Sequence, residues 1–185
     1  MDKRVEANLR VKQSIVNALF DLLGEKNITE ISVQDIVKRA KVARQSYYRN
    51  FSSKEEIIDE FFHFIHLDML STLRENHIHS LNYNFIFYYL NILLKHREKL
   101  LILYRHQFVQ HSLETINRFV EEAAGDMPYN SIDRYLLYYF AGAMYNTAMN
   151  WLRNGAVESC ESVAQAICKF MSFDLNSMDL HLYLE

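Results

Sequence analysis

Three observations predict an all-α fold. Pro occurs once and Gly four times in 185 residues, too few breaks for a turn-rich β fold. Apolar residues recur at helical spacing through the long segments of the chain. Half the residues are hydrophobic and 14% are aromatic, which excludes disorder and supplies ample core. The pattern resolves into about nine helices. A three-helix N-terminal domain is expected in residues 1–52, followed by a helical bundle in residues 53–185.

The first helix is predicted from Val5 to Leu23. Leu9, Ile15, Val16, Leu19, Phe20, Leu22 and Leu23 make its apolar face. Gly24 ends it in the manner usual for helix C-termini, and Ile28 and Ile31 staple the loop that follows. Lys3, Arg4, Arg10 and Lys12 lie towards its start. They read equally as a solvated basic end or as an arm that contacts phosphates. The apolar face is expected to pack on Val33, Ile36, Val37 and on Tyr47 or Phe51.

Ser32 to Lys54 carries the strongest signal. Ser32 is a good N-cap, and Asp35 three residues on completes the pattern of a capping box. Val33, Ile36, Val37 and Ala40 give the second helix its spacing, and Lys41-Val42-Ala43 is long enough only for a tight turn. The third helix, starting near Ala43, holds Arg44, Gln45, Ser46, Tyr47, Tyr48, Arg49 and Asn50, with Phe51 as an apolar anchor. Ser52 or Ser53 caps the next helix, where Glu55 and Glu56 suit the positive end of the macrodipole. A short helix, a tight turn and a short helix is the helix-turn-helix plan, whose second helix enters the DNA major groove. Arg and Gln can read base edges bidentately, so Arg44, Gln45 and Tyr47 are the expected base contacts. Ser32, Ser46, Arg49 and Asn50 have the hydroxyl, guanidinium and amide groups that hold phosphates and set register.

The stretch resembles the TetR family of transcriptional regulators. The matching positions are Ser32, Ala40-Lys41-Val42-Ala43, Tyr48-Arg49-Asn50-Phe51 and Ser53-Lys54-Glu55-Glu56-Ile57, within a resemblance that covers Lys12 to Phe61. Tyr48 and Lys54 take phosphate-holding roles from this resemblance. Two positions depart from the family pattern. Lys41 stands where the family usually has Gly, and a left-handed turn residue other than glycine costs about 1 kcal/mol. Ala43 stands where the family often has Ser, which removes a capping bond worth ~1 kcal/mol.

From Ser53 a long helix is expected to run to Asn76, apolar widely enough to link head and body. His63, His66, His77 and His79 fall on or after it without the further ligands a metal site needs, so they read as surface or capping histidines. Leu81 to Lys95 is hydrophobic nearly all round and should be buried nearly all round. Helices from Arg97 to Tyr104 and from Phe108 to Ala124 follow, the latter stopped by Gly125 and Pro128. Phe61, Phe85, Tyr89, Tyr104, Phe108, Phe119, Tyr138 and Tyr145 are candidates to line an effector pocket between helices. Each read alone is ordinary core. Together, so many polar-tipped rings make a cavity for a small apolar or aromatic effector.

Ser131 to Arg153, closed by Asn154-Gly155, carries two apolar faces and therefore needs two partners. The last helix, Ser159 to Phe173, is amphipathic, and residues after Leu175 form a short tail. The family resemblance implies that these two helices from each of two chains form a four-helix dimer interface. Its expected members are Leu136, Phe140, Gly142, Ala143, Thr147, Trp151, Val163, Ile167, Phe170 and Met171. Tyr139-Phe140-Ala141-Gly142 and Trp151-Leu152-Arg153-Asn154-Gly155 also look like the body ending of firmicute-type members.

Charge supports the division of labour. Residues 1–54 hold 11 Lys+Arg and 6 Asp+Glu, a net +5, whereas residues 55–185 hold 9 and 17, a net −8. A basic head on an acidic body is the footprint of a chain whose head alone meets phosphates. Cys160 and Cys168, eight residues apart, sit roughly 12 Å apart along a helix, too far for a disulfide. They fit a reducing cytoplasm. No apolar run approaches a membrane span, and the charged N-terminus is unlike a secretion signal. No Gly-rich phosphate loop, nucleophile elbow or supported carboxylate pair is present, and neither metal nor cofactor is called for. The expectation is a cytoplasmic, ligand-responsive repressor that binds a palindromic operator as a homodimer and is not an enzyme. The alternatives are a regulator whose body binds a protein co-activator, and a helical ligand- or protein-binding sensor that does not bind DNA.

Overall fold

The computed structural model describes residues 3–170. The expected interface residue Met171, the side chain of Phe170 and the expected tail after Leu175 lie outside that description. Among the described residues there are nine α-helices, a single 3-10 turn and no strand. The chain divides between Phe64 and Ile65 into two compact units. The division falls inside a helix and later than the Ser52 boundary expected, because the opening turns of that helix complete the core of the first unit.

In the first unit, α1 (Lys3–Leu23) packs on α2 (Val33–Ala40) and α3 (Arg44–Asn50), and α4 (Lys54–Glu75) begins. Ile15, Val16, Leu19 and Phe20 of α1 are buried with Ile36, Tyr47, Phe51, Ile57, Ile58 and Phe61. The rings of Phe20 and Phe61 lie 4.6 Å apart. Lys12 Nζ donates to Glu60 at 2.8 Å and ties α1 to α4. A 3-10 turn at Ile28–Glu30, which apolar spacing alone does not announce, is closed by the Asn27 amide donating to the Glu30 carboxylate at 3.0 Å.

In the second unit, α4 continues and is followed by α5 (Tyr83–Lys95), α6 (Arg97–Arg105), α7 (Val109–Ala124), α8 (Ile132–Arg153) and α9 (Cys160–Phe170). Helix α5 packs on α9, and α8 packs on both α6 and α7. The core gathers Ile86, Leu90, Leu100, Leu103, Leu137, Met144, Ala148, Leu152 and Ala164. Helix α5 is less enclosed than its composition suggests: Phe85, Phe87, Tyr88 and Tyr89 are half-buried and Leu94 is exposed. Several contacts hold the second half of α4 and the residue after it. Asp68 accepts from Lys95 Nζ at 2.7 Å, Tyr88 Oη donates to Asn76 at 2.7 Å, and the His66 ring stacks on Phe119 at 4.2 Å. Arg134, 4% exposed, joins α8 to the preceding turn by donating to the Met127 carbonyl at 2.5 Å and to Glu121 of α7, with Tyr129 beneath its guanidinium. Cys160 is buried, Cys168 half-buried, and both are free thiols. No helix among the described residues is long and apolar enough to cross a membrane.

Candidate nucleic-acid interface

The turn between α2 and α3 is built as the sequence requires. Ser32 caps α2: its Oγ accepts from the Asp35 amide at 3.2 Å, while the Asp35 carboxylate takes the Ser32 amide at 3.0 Å. These bonds and an ion pair with Lys26 at 2.9 Å hold the Asp35 carboxyl at about 2, below its ordinary 3.8. At the other end Lys41 takes the left-handed conformation (φ 55°, ψ 41°), and its amide donates to the Lys38 and Val37 carbonyls. Ala43 occupies the N-cap of α3 in extended conformation without a side-chain cap. Both departures from the family pattern therefore sit where their costs were expected.

Helix α3 presents one face to solvent. Arg44, Gln45, Tyr48 and Arg49 fall within one sector of the helix, and all four are exposed. Arg44 Nη2 donates to the Tyr48 hydroxyl at 3.1 Å, and its guanidinium carbon lies 5.5 Å from the Tyr48 ring centroid. Arg49 Nη2 reaches Ser46 Oγ at 3.3 Å, and Asn50 Nδ2 donates to the Ser46 carbonyl at 2.8 Å. These residues come together on one small polar surface.

Tyr47 departs from the expectation that it meets bases. It is 1% exposed and faces the core with Phe51, four residues on, their centroids 6.3 Å apart. Tyr47 on the helix and Phe51 at its C-cap mark the buried side, so Tyr47 belongs to the apolar face that the packing of α1 demanded. Ser32 spends its hydroxyl on the cap, since Oγ also donates to Asp35 at 2.9 Å. Lys54 is likewise engaged. Its ammonium donates to the Ile28 and Ile31 carbonyls at 2.5 and 3.1 Å, which pins the start of α4 to the 3-10 turn and leaves one donor for any other contact. Lys38 and Lys41 flank the turn and are exposed, whereas Arg39 beside them is bound to Glu25 at 2.8 Å and faces Asp21 at 3.8 Å. Lys38 was not singled out from the sequence. The signal for it was its place one turn before the tight turn.

The residues expected to line an effector pocket do not form one set. Phe61 belongs to the core of the first unit, against Phe20, and so leaves the group. In the second unit, Phe85 packs on Phe140 at 5.9 Å, Phe119 stacks on His66, and Phe108 stands edge-on to His111 at 6.0 Å. Tyr138 is half-buried. Tyr145 interacts electrostatically with both Tyr89 and Tyr104. Burial pushes the Tyr89 and Tyr145 phenols up. The guanidinium of Arg153 covers the Tyr104 ring at 4.0 Å.

On the far side of α8 a cleft of about 440 Å³ opens between α8 and α9. It is lined by Tyr139, Phe140, Ala143, Met144, Thr147, Glu158, Ser162, Val163, Ala166 and Ile167. Tyr139 beside it is 68% exposed, and Tyr135 and Ile132 continue the row at 56% and 75%. Leu136 is half-buried nearby on α8, and a Cβ placed on Gly142 would meet nothing within 4 Å. Trp151 is used within the chain instead: it is buried, and its indole N–H donates to the Glu158 carbonyl at 3.1 Å, closing the α8–α9 loop.

A capped α2, a tight left-handed turn and an α3 that buries Tyr47 and exposes two arginines define a helix-turn-helix DNA-binding protein. The N-terminal part of the chain carries a tetR-type DNA-binding domain, and the chain is a DNA-binding transcriptional regulator. Residues 15–61 match the family described as "Bacterial regulatory proteins, tetR family", a span that takes in α2, α3 and the α1 and α4 residues packed on them. The fold is shared along most of the chain with solved structures. One is native NalD, the secondary repressor of the MexAB-OprM multidrug efflux pump in Pseudomonas aeruginosa, at 18% identity with a TM-score of 0.59, covering 88% of this chain and 94% of that one. Another is the dihydroxyacetone kinase operon activator DhaS, at 19% identity and 0.54, covering 91% and 98%. A third is a TetR transcriptional regulator from Rhodococcus sp. RHA1, at 18% identity and 0.53, covering 90% and 98%. No curated protein is significantly similar to the chain in sequence.

Proposed function

We propose that the chain acts in the cytoplasm as a ligand-responsive repressor that binds a palindromic operator as a homodimer and has no catalytic activity of its own. The observation that carries this reading is the pairing, in one chain, of an exposed polar α3 with an exposed apolar row on α8 beside the α8–α9 cleft. Arg44 and Gln45 read bases. Ser46, Arg49, Asn50 and the third donor of Lys54 hold phosphates, joined by Lys38 and Lys41 beside the turn; Ser32 stays at the phosphate side of the cap, and Tyr48, expected among the phosphate contacts, acts through Arg44. Two such heads held by a two-fold interface meet two half-sites in successive major grooves. A dimer seated on a promoter represses by occupancy alone and needs no contact with the polymerase.

The effector is a small apolar or aromatic molecule held among Tyr89, Tyr104 and Tyr145, with Phe85, Phe108, Phe119 and Tyr138 around them. Its binding favours one of two head-to-head spacings and so shifts the dimer towards or away from the operator-competent state. A gel shift with the DNA upstream of its own gene, paired with a transcriptional reporter, tests the reading. The expected result is a salt-sensitive shift and higher reporter output when the gene is deleted. A folded dimer that gives no shift at low salt ends the operator reading, and lower reporter output on deletion makes the protein an activator. A thermal-shift screen tests the effector, since a ligand at 100 times its Kd adds about 2.7 kcal/mol. Stabilisation only by polyanions or metal ions overturns the apolar site.

A further inference from the structure

We propose that Tyr48 is a positioning residue for sequence recognition: its hydroxyl and ring hold the Arg44 guanidinium ready for a base edge, so that operator preference depends on the pair rather than on Arg44 alone. This rests on the reading of Arg44 as a base contact.

Arg44 is the first residue of α3, and the N-cap before it is Ala43, which gives no side-chain support. A long side chain at an exposed helix start samples many rotamers and loses that freedom on meeting DNA. Here the freedom is already restricted. Tyr48 lies one turn on, where i and i+4 side chains meet. Its hydroxyl accepts from Arg44 Nη2 at 3.1 Å, and the guanidinium carbon stands 5.5 Å from the ring centroid. The Tyr48 ring is itself located, because it meets the Tyr47 ring edge-on at 5.3 Å and 86°, and Tyr47 is fixed in the core. A rigid ring in the core thus locates an exposed ring, and the exposed ring locates an exposed cation. One N–H of Nη2 is spent on Tyr48. The guanidinium keeps its other donors, enough for a bidentate pair with guanine O6 and N7.

A residue that only holds a phosphate would act differently. Its loss would weaken every DNA sequence alike and lower the salt slope. A residue that orients a base reader affects the preferred sequence and leaves indifferent binding alone.

The test uses the full chain and a duplex selected by the wild type from a randomised pool, beside a scrambled duplex of equal length and composition. Binding is measured for the wild type, Tyr48→Phe, Arg44→Ala and the double variant, over a range of salt. Tyr48→Phe keeps the ring and removes the acceptor, and at 55% exposure it leaves the core intact, which thermal melts check. The expected result is a roughly two- to tenfold fall in the selected-over-scrambled ratio, the value of one hydrogen bond. Scrambled binding and the salt slope stay unchanged, and in the Arg44→Ala background Tyr48→Phe has no further effect. Equal weakening on both duplexes, additive with Arg44→Ala, makes Tyr48 a phosphate contact and overturns the proposal, as does no change on either. If Arg44→Ala itself leaves the ratio intact, the base assignment of Arg44 has failed and the proposal falls with it. If the wild type selects no sequence from the pool, the operator reading has failed instead.

Discussion

The chemistry of single residues decides how the head withstands acid. Asp35 accepts from the Ser32 amide and hydroxyl and from Lys26, and these bonds hold its carboxyl at about 2 in the folded chain. A depressed carboxyl stabilises the fold at pH above its ordinary 3.8, and that contribution is lost as pH falls through about 2. Asp35→Asn keeps an acceptor but removes the charge. Denaturant midpoints measured against pH should therefore show a shallower acid limb between about 4 and 2 for the variant, with lower stability than wild type at neutral pH. Identical limbs would mean that the carboxylate gains nothing from the cap. The Ser32–Asp35 pairing was legible in the sequence, because a capping box is a local pattern four residues long. The burial of Tyr47 was legible only in part. Its helical spacing to Phe51 pointed inward, while the composition of α3 pointed to DNA, and only packing against α1 decides between them. The commitment of Lys54 to two carbonyls was not legible at all, since those acceptors lie on a turn more than twenty residues away in sequence.

At the scale of the element, the reading turns on how helices end. Ser131 and Asn82 cap α8 and α5 through bonds to the amides three residues on, which is why those starts were readable to within one or two residues. The α2–α3 turn is the exception, because two of its positions carry residues that fit poorly. Lys41 holds a left-handed conformation at φ 55°, and Ala43 leaves the first amides of α3 without a side-chain acceptor. Ala43→Ser should stabilise the chain by ~1 kcal/mol through a new capping bond. Lys41→Gly should add up to about 1 kcal/mol by removing the left-handed penalty, offset in part by the greater freedom of glycine in the unfolded chain. The two positions are neighbours in one turn, so the combined variant tests whether the gains add. Thermal melts of the three variants decide this. A null or negative change for Ala43→Ser would show that the first amides of α3 already have adequate partners. If Lys41 also holds a phosphate, Lys41→Gly will melt higher and yet bind DNA less tightly, with a smaller salt slope.

For the whole molecule, the division of work was visible as charge, basic before Lys54 and acidic after it, but the division of structure was not. The two units part within α4, and nothing in a continuous helical pattern marks the residue where one core ends and the next begins. Nor did the aromatic spacing reveal which tyrosines meet, because rings at helical intervals look the same in a core and around a cavity. The double apolar face of α8 was legible, and it carries the last prediction. Leu137, Met144 and Ala148 satisfy one side inside the chain, whereas Ile132, Tyr135 and Tyr139 remain in the open beside the α8–α9 cleft. Apolar surface of this kind is covered most readily by a second copy, in a two-fold contact that repeats every substitution. Gly142→Arg is the sharper variant. No atom of another part of the chain lies within 4 Å of a Cβ there, so the new side chain leaves from open space, and a partner packed on α8 would reject it. Ile167→Asp places a charge in the cleft itself and leaves it desolvated on both sides of the contact. Sedimentation at micromolar concentration should therefore give a dimer for the wild type and a folded 22.0 kDa monomer for Gly142→Arg, with an unchanged helical spectrum. Operator affinity should fall by roughly 10²–10⁴-fold, the loss expected when two linked half-site contacts become independent. A wild type that sediments as a monomer, or a Gly142→Arg variant that stays dimeric and keeps its operator affinity, would move the interface off these helices.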